Sequence, residues 1–202
     1  STEDLRAIAK ARISEKEFVQ SIIVAVSLTE DYIAEVVRLI LEAYPKKLTL
    51  SQKGGAPLGQ SKSISLSDLL DYSSMEDLIE DQVEKRVQDL LYASPKQYAE
   101  YISAVAGVEI GERLIQEYAE VKATRDLYVH GDGKVNELYL KKAEQLARGK
   151  LGEKLVVDSE YFDHSIRVMK EIFTAIFKGL REKYSADSNV ERILDHRGCH
   201  LI

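Results

Sequence analysis

Between Phe18 and Ile40 the apolar residues Phe18, Ile22, Val26, Tyr32, Ile33, Val36 and Ile40 return at intervals that fit one face of a helix. Ser14 and Glu17 form a capping-box pattern ahead of them, so the spacing predicts a long first helix starting there. Pro45 lacks an amide proton and pushes its predecessor out of the helical region, which places the end near Tyr44. A helix with one long apolar stripe must bury it against other elements, and the rest of the chain supplies further helices.

Ser74 and Asp77 cap a second helix with the stripe Ile79, Val83, Val87 and Leu90, and Ser94, Pro95 and Gln97 cap a third that ends at Gly107. A fourth runs from about Glu109 to His130 and stops at Gly131 and Gly133, and Asn136 to Arg148 is helical and closes at Gly149. The last begins after Asp158 and carries Phe162, Ile166, Met169, Phe173, Ile176 and Leu180. No stretch reads as a strand. The expected fold class is therefore all-α, an antiparallel up-and-down helical bundle with additional short helices. It forms one domain over residues 13–184, followed by a polar, flexible tail at 185–202. Residues 46–65, with Gly54, Gly55, Pro57 and Gly59, read as a mobile surface loop. Gly54 to Ser61 nearly matches a phosphate-binding loop, but Gln60 stands where the lysine is required and no strand precedes it.

With 45% apolar and 31% charged residues the chain is expected to fold. Its net charge of −6 argues against coating nucleic acid by bulk attraction, so chemistry on RNA has to come from a local site. Cys199 is the single cysteine, which excludes an intrachain disulfide and points to a reducing, cytoplasmic setting. The most apolar stretch, Phe18 to Leu28, is broken by Gln20 and Ser21, and neither a signal peptide nor a membrane span is expected. His196, Cys199 and His200 lack a convincing fourth ligand for zinc, and neither a metal nor a cofactor is expected.

The fourth helix carries charge on its apolar face. The stripe Ile110, Leu114, Tyr118, Val121 continues as Arg125 and Tyr128, and a guanidinium there needs a carboxylate partner or an anion such as phosphate. Beside it run Ala119, Ala123, Asp126 and His130, whose first two members are small enough to let another backbone come close. Asp126 and His130 are four apart, so the carboxylate is placed to orient the imidazole and raise its pKa, and the helix C-terminus acts in the same direction. A histidine so held exchanges protons near neutral pH. The plainer readings are a structural ion pair for Arg125 and an exposed surface pair for Asp126 and His130. Around an ideal helix Arg125 and His130 are about 140° apart and do not share a face. Lys122, Lys134, Lys141 and Lys142 flank these residues, either to guide phosphate or as an ordinary solvated face. Helical spacing makes most of the tyrosines at 92, 98, 101, 118, 128, 139 and 161 core or interface residues rather than stacking platforms for bases.

The run Arg125-Asp126-Leu127-Tyr128-Val129-His130 resembles the R-x4-6-H signature of HEPN domains. Gly131-Asp132-Gly133 with Val135-Asn136-Glu137-Leu138-Tyr139-Leu140-Lys141-Lys142 is similar to the family's turn after that motif, and Thr29 to Lys47 resembles its opening helix. The likeness covers roughly residues 15 to 183. It implies a helical bundle that dimerises, bringing two motifs into one cleft, and a metal-independent endoribonuclease of a defence or toxin system. Arg125, Asp126 and His130 would then be catalytic, with Lys122 and Lys134 on the RNA. A regulatory or antitoxin protein is a further implied partner. The alternative is a HEPN module without catalysis that binds RNA or a protein as an adaptor or regulator.

Overall fold

The computed structural model describes residues 2–49 and 69–185, with side chains from residue 13 onward. Among them lie six α-helices: α1 (Thr2–Ala43), α2 (Met75–Leu91), α3 (Pro95–Ala106), α4 (Glu112–Gly131), α5 (Glu137–Ala143) and α6 (Ser159–Tyr184). Short 3-10 turns come after α1 at Pro45–Thr49 and after α5 at Glu144–Leu146. The protein is all-α, and the one strand-like pairing among the described residues is an isolated antiparallel bridge between Lys134 and Lys154.

Several boundaries obey the local chemistry read from the sequence. Ser74 accepts from the Asp77 amide at 3.1 Å, Ser94 and Gln97 close a capping box at α3, and Asn136 accepts from the Tyr139 amide at 2.8 Å. Others differ. α1 begins at Thr2 rather than after Ser14, because Thr2 to Arg12 is rich in Ala, Leu, Lys, Arg and Glu and holds nothing that stops a helix. α4 starts at Glu112, with Gly111 as its N-cap, instead of at Glu109. α5 breaks at Glu144, which takes a positive φ of 50°, so the helix expected to reach Arg148 ends at Ala143. Of the segment read as a mobile loop, residues 46–49 lie in the first 3-10 turn. The rest, including Gly54 to Ser61, lies outside the described residues, as do His196, Cys199, His200 and the tail from residue 186.

The chain divides into two compact units, and α1 and α6 contribute to both. In the unit of Glu30–Ile110 and Thr174–Ile202 the core is built from Val37, Ile40 and Leu41 of α1, Val83, Val87 and Leu90 of α2, Ile102 and Val105 of α3, and Ile176 of α6. Leu78 is buried in α2 where Ile79 was expected. Arg38 ties α1 to α2, reaching Glu35 and Glu84 at 2.8 Å each. The Lys47 ammonium donates to the Val105 carbonyl and to the Tyr184 hydroxyl, which fastens the end of α3. That end is closed by Gly107 at φ 67°, where a side chain would be strained and would run into Lys183.

In the unit of Ser1–Thr29 and Gly111–Phe173, Phe18 of α1 stacks on Phe162 of α6 with centroids 5.1 Å apart. Ile22, Val26, Tyr118, Val121, Val168 and Ile172 are buried in the same unit. Ala123 and Leu127 of α4 pack with Val135, Tyr139 and Ala143 of the α5 segment and with Leu155. The small Ala123 thus admits α5 of its own chain. No described helix is long and apolar enough to cross a membrane.

Burial of phenols gives the fold an alkaline limit. The hydroxyls of Tyr32, Tyr101, Tyr128 and Tyr139 are pushed up from 10.0 to about 12, in each case chiefly by burial. A folded-state pKa above the unfolded one means the stabilisation is complete below pH 10 and is lost as the pH rises towards 12. The melting temperature is expected to lose this contribution across that window, together with the appearance of phenolate absorbance. Titration of these four phenols near pH 10 without any loss of structure would contradict the assignment.

Candidate functional site

The end of α4 carries the residues singled out from the sequence. Leu127, buried against α5, anchors this turn, and the chain leaves it through Asp132 in the left-handed region at φ 55°. The amides of Asp132 and Gly133 both donate to the Leu127 carbonyl, closing the helix. Gly133, at φ 76°, lies so near the Tyr128 ring that a Cβ would come within 2.7 Å of it, so both backbone and space require glycine here.

Arg125 is only 17% exposed at its side chain, and its Nη1 stands 3.5 Å from Oδ1 of Asp126. The other Asp126 oxygen accepts from Lys142 Nζ of α5 at 2.9 Å. The carboxylate therefore sits between two cations. His130 is exposed in the last turn of α4. Among the described residues no hydrogen bond or ion pair joins it to Asp126, so the pairing expected from the four-residue spacing does not form. The reason is competition: Lys142 on the neighbouring helix brings a full positive charge to the same carboxylate. Arg125 and His130 differ in environment, half-buried against exposed, as positions on separate helix faces should. Lys122 is half-buried on α4, and Lys134 is exposed beside Lys154 through the backbone bridge. The structure thus brings Arg125, Asp126 and Lys142 together and leaves His130 apart from them.

One polar cluster went unread in the sequence. Glu120, 4% exposed on α4, accepts from Thr124 at 2.7 Å, from Tyr139 and Tyr161 at 2.8 Å each, and from Arg148 Nε at 3.1 Å. Arg148 also donates to the Val156 carbonyl, and its guanidinium carbon lies 3.3 Å from the centre of the Tyr161 ring. Burial, then the Glu120 charge, push the Tyr139 hydroxyl up to about 12 and that of Tyr161 further. Burial opposes the charge on Arg148, but Tyr161 and Glu120 outweigh it and hold the guanidinium protonated. The cluster pins Arg148 and Val156, in the irregular chain after α5, to the helix that carries the motif. The available signal was a glutamate and a threonine four apart, one turn before Arg125, on a helix that needs to be buried on more than one face. Among the described residues no group of three or more His, Cys, Asp and Glu side chains is placed to hold a metal ion.

No family model matches the chain, and neither does any curated protein or solved structure.

Proposed function

We propose that the chain is a HEPN-like protein, an up-and-down bundle in one domain, and acts as a metal-independent endoribonuclease whose site is shared between two copies. The observation that carries the reading is the end of α4, where an exposed imidazole stands five residues beyond a guanidinium held by a carboxylate. Cleavage of RNA by its own 2′-hydroxyl needs one group to remove that proton and another to protonate the leaving 5′-oxygen. His130 supplies one such group per chain, and a second copy supplies the other. Arg125 stabilises the charge growing on the phosphoryl oxygens. Asp126, which touches Arg125 and Lys142, holds these cations rather than the imidazole. Lys122 and Lys134 guide the phosphate backbone. The setting proposed is a cytoplasmic defence or toxin system with a regulatory or antitoxin partner.

One observation favours a second reading, a HEPN module that binds RNA or a protein without cutting. Among the described residues His130 has no hydrogen-bond partner to fix its tautomer, which a proton-transfer histidine normally has. Incubation of the protein with total RNA in EDTA separates the two. The nuclease should cut under chelation and leave 2′,3′-cyclic phosphate or its opened product. Cleavage that depends on Mg²⁺ and leaves 5′-phosphate ends overturns the mechanism, and intact RNA in both conditions favours the adaptor.

A further inference from the structure

A cleft of about 500 Å³ opens within the unit of Ser1–Thr29 and Gly111–Phe173, a size in the usual range for a small-ligand site. One wall comes from α1, through Glu15, Val19 and Gln20, and the other from Tyr128, Lys154 and Val156. Tyr128 lies inside the Arg125 to His130 motif, so the cleft belongs to the same helix end. A phenol has one proton to give. Tyr128 donates it to the Leu155 carbonyl at 2.5 Å, and Glu15 Oε1 stands farther off, 3.3 Å from the same hydroxyl. The Glu15 carboxylate, half-buried, therefore keeps most of its accepting capacity for something else. Val19 and Val156 give the cleft apolar flanks, Gln20 adds an exposed amide, and Lys154 lies 3.4 Å from the Asp132 carboxylate, which also lines the cleft and takes up its charge.

An occupant suited to these walls has a flat apolar body and two neighbouring N–H donors for the Glu15 carboxylate. We infer that the cleft receives a guanine base of the RNA beside the scissile phosphate, with Glu15 accepting from its N1–H and N2–H. Guanine alone among the four bases presents two adjacent donors on its pairing edge. Adenine and cytosine offer one amino group beside an acceptor, and the single donor of uracil lies between two carbonyls that a carboxylate repels. The inference rests on the motif being an RNA-cleaving site, because that is what brings RNA to the end of α4.

Fluorescence anisotropy with 2′-O-methyl oligonucleotides, which lack the attacking hydroxyl, reads binding apart from cleavage. Three oligonucleotides differing at one position, guanosine, inosine or adenosine, are compared. The protein should prefer guanosine to adenosine by at least about tenfold, with inosine, which lacks the N2 amine, in between. Glu15→Gln, close in size, should remove that preference while leaving the adenosine oligonucleotide bound as before and the melting curve in place. Val156→Trp, at an exposed wall residue, should fill the cleft and weaken guanosine binding at least about tenfold without unfolding the protein. Equal binding of all three oligonucleotides, or a preference that survives Glu15→Gln, overturns the inference. Guanosine preference in a protein that cleaves no RNA leaves the cleft as inferred and removes the nuclease. Cleavage without the preference removes the cleft assignment alone.

Discussion

Glu120→Ala is expected to destabilise the protein by about 3 kcal/mol or more, read as a fall in the unfolding free energy from urea titration. Removal of the carboxylate leaves the Arg148 guanidinium facing two phenols and a threonine hydroxyl that had all been turned towards Glu120. An ion stripped of its buried partner costs about 3–5 kcal/mol in comparable cases. Arg148 keeps 26% of its side chain exposed, so water relieves part of that and places the effect near the lower end. The hydroxyls of Tyr139 and Tyr161 have no such relief, since both residues are buried. Glu120→Gln keeps an acceptor for them and removes only the charge opposite Arg148, so its loss should be about half as large. Against a typical total of about 5–15 kcal/mol, the alanine change threatens folding near body temperature. A loss under about 1 kcal/mol from Glu120→Ala would mean that the cluster contributes nothing net, as some buried ion pairs do.

That cluster also shows where sequence reasoning stops. Helices were legible because capping residues act within one turn: Ser74, Ser94 and Asn136 cap where their own side chains reach the next amides. Spacing made most of seven tyrosines core or interface residues, and Tyr98, Tyr101, Tyr118, Tyr139 and Tyr161 are buried, while Tyr92 is exposed and Tyr128 half-buried. Glu120 was not, because three of its partners, Tyr139, Arg148 and Tyr161, come from beyond the end of its own helix. Asp126 failed for the same reason. Spacing put His130 within its reach, but Lys142, sixteen residues away in sequence, reaches it across the α4 and α5 contact. Pattern along one helix shows which face is apolar, and says little about which of several polar partners will meet it.

His130→Ala is expected to reduce RNA cleavage by at least about a hundredfold while leaving the fold in place, because an exposed side chain that moves protons contributes to the reaction and little to stability. The structural cost is limited to an exposed side chain at the end of α4 and should be small. Circular dichroism and the melting temperature should therefore be nearly unchanged, and light scattering should give the same oligomeric state as the unaltered protein. Arg125→Ala should abolish cleavage too, but with a loss of stability, since that side chain is largely buried and touches Asp126. Asp126→Asn separates the roles further. Its carboxylate meets Arg125 and Lys142 rather than the imidazole, so the change should weaken cleavage without moving its pH optimum. A downward shift of the optimum would show instead that Asp126 acts on His130 when RNA is bound. Cleavage undiminished in a folded, dimeric His130→Ala protein would falsify the nuclease reading, and a strict monomer that still cuts RNA would remove the shared site. A dimer that binds RNA equally well with His130 or alanine, and cuts it with neither, is what the adaptor reading requires.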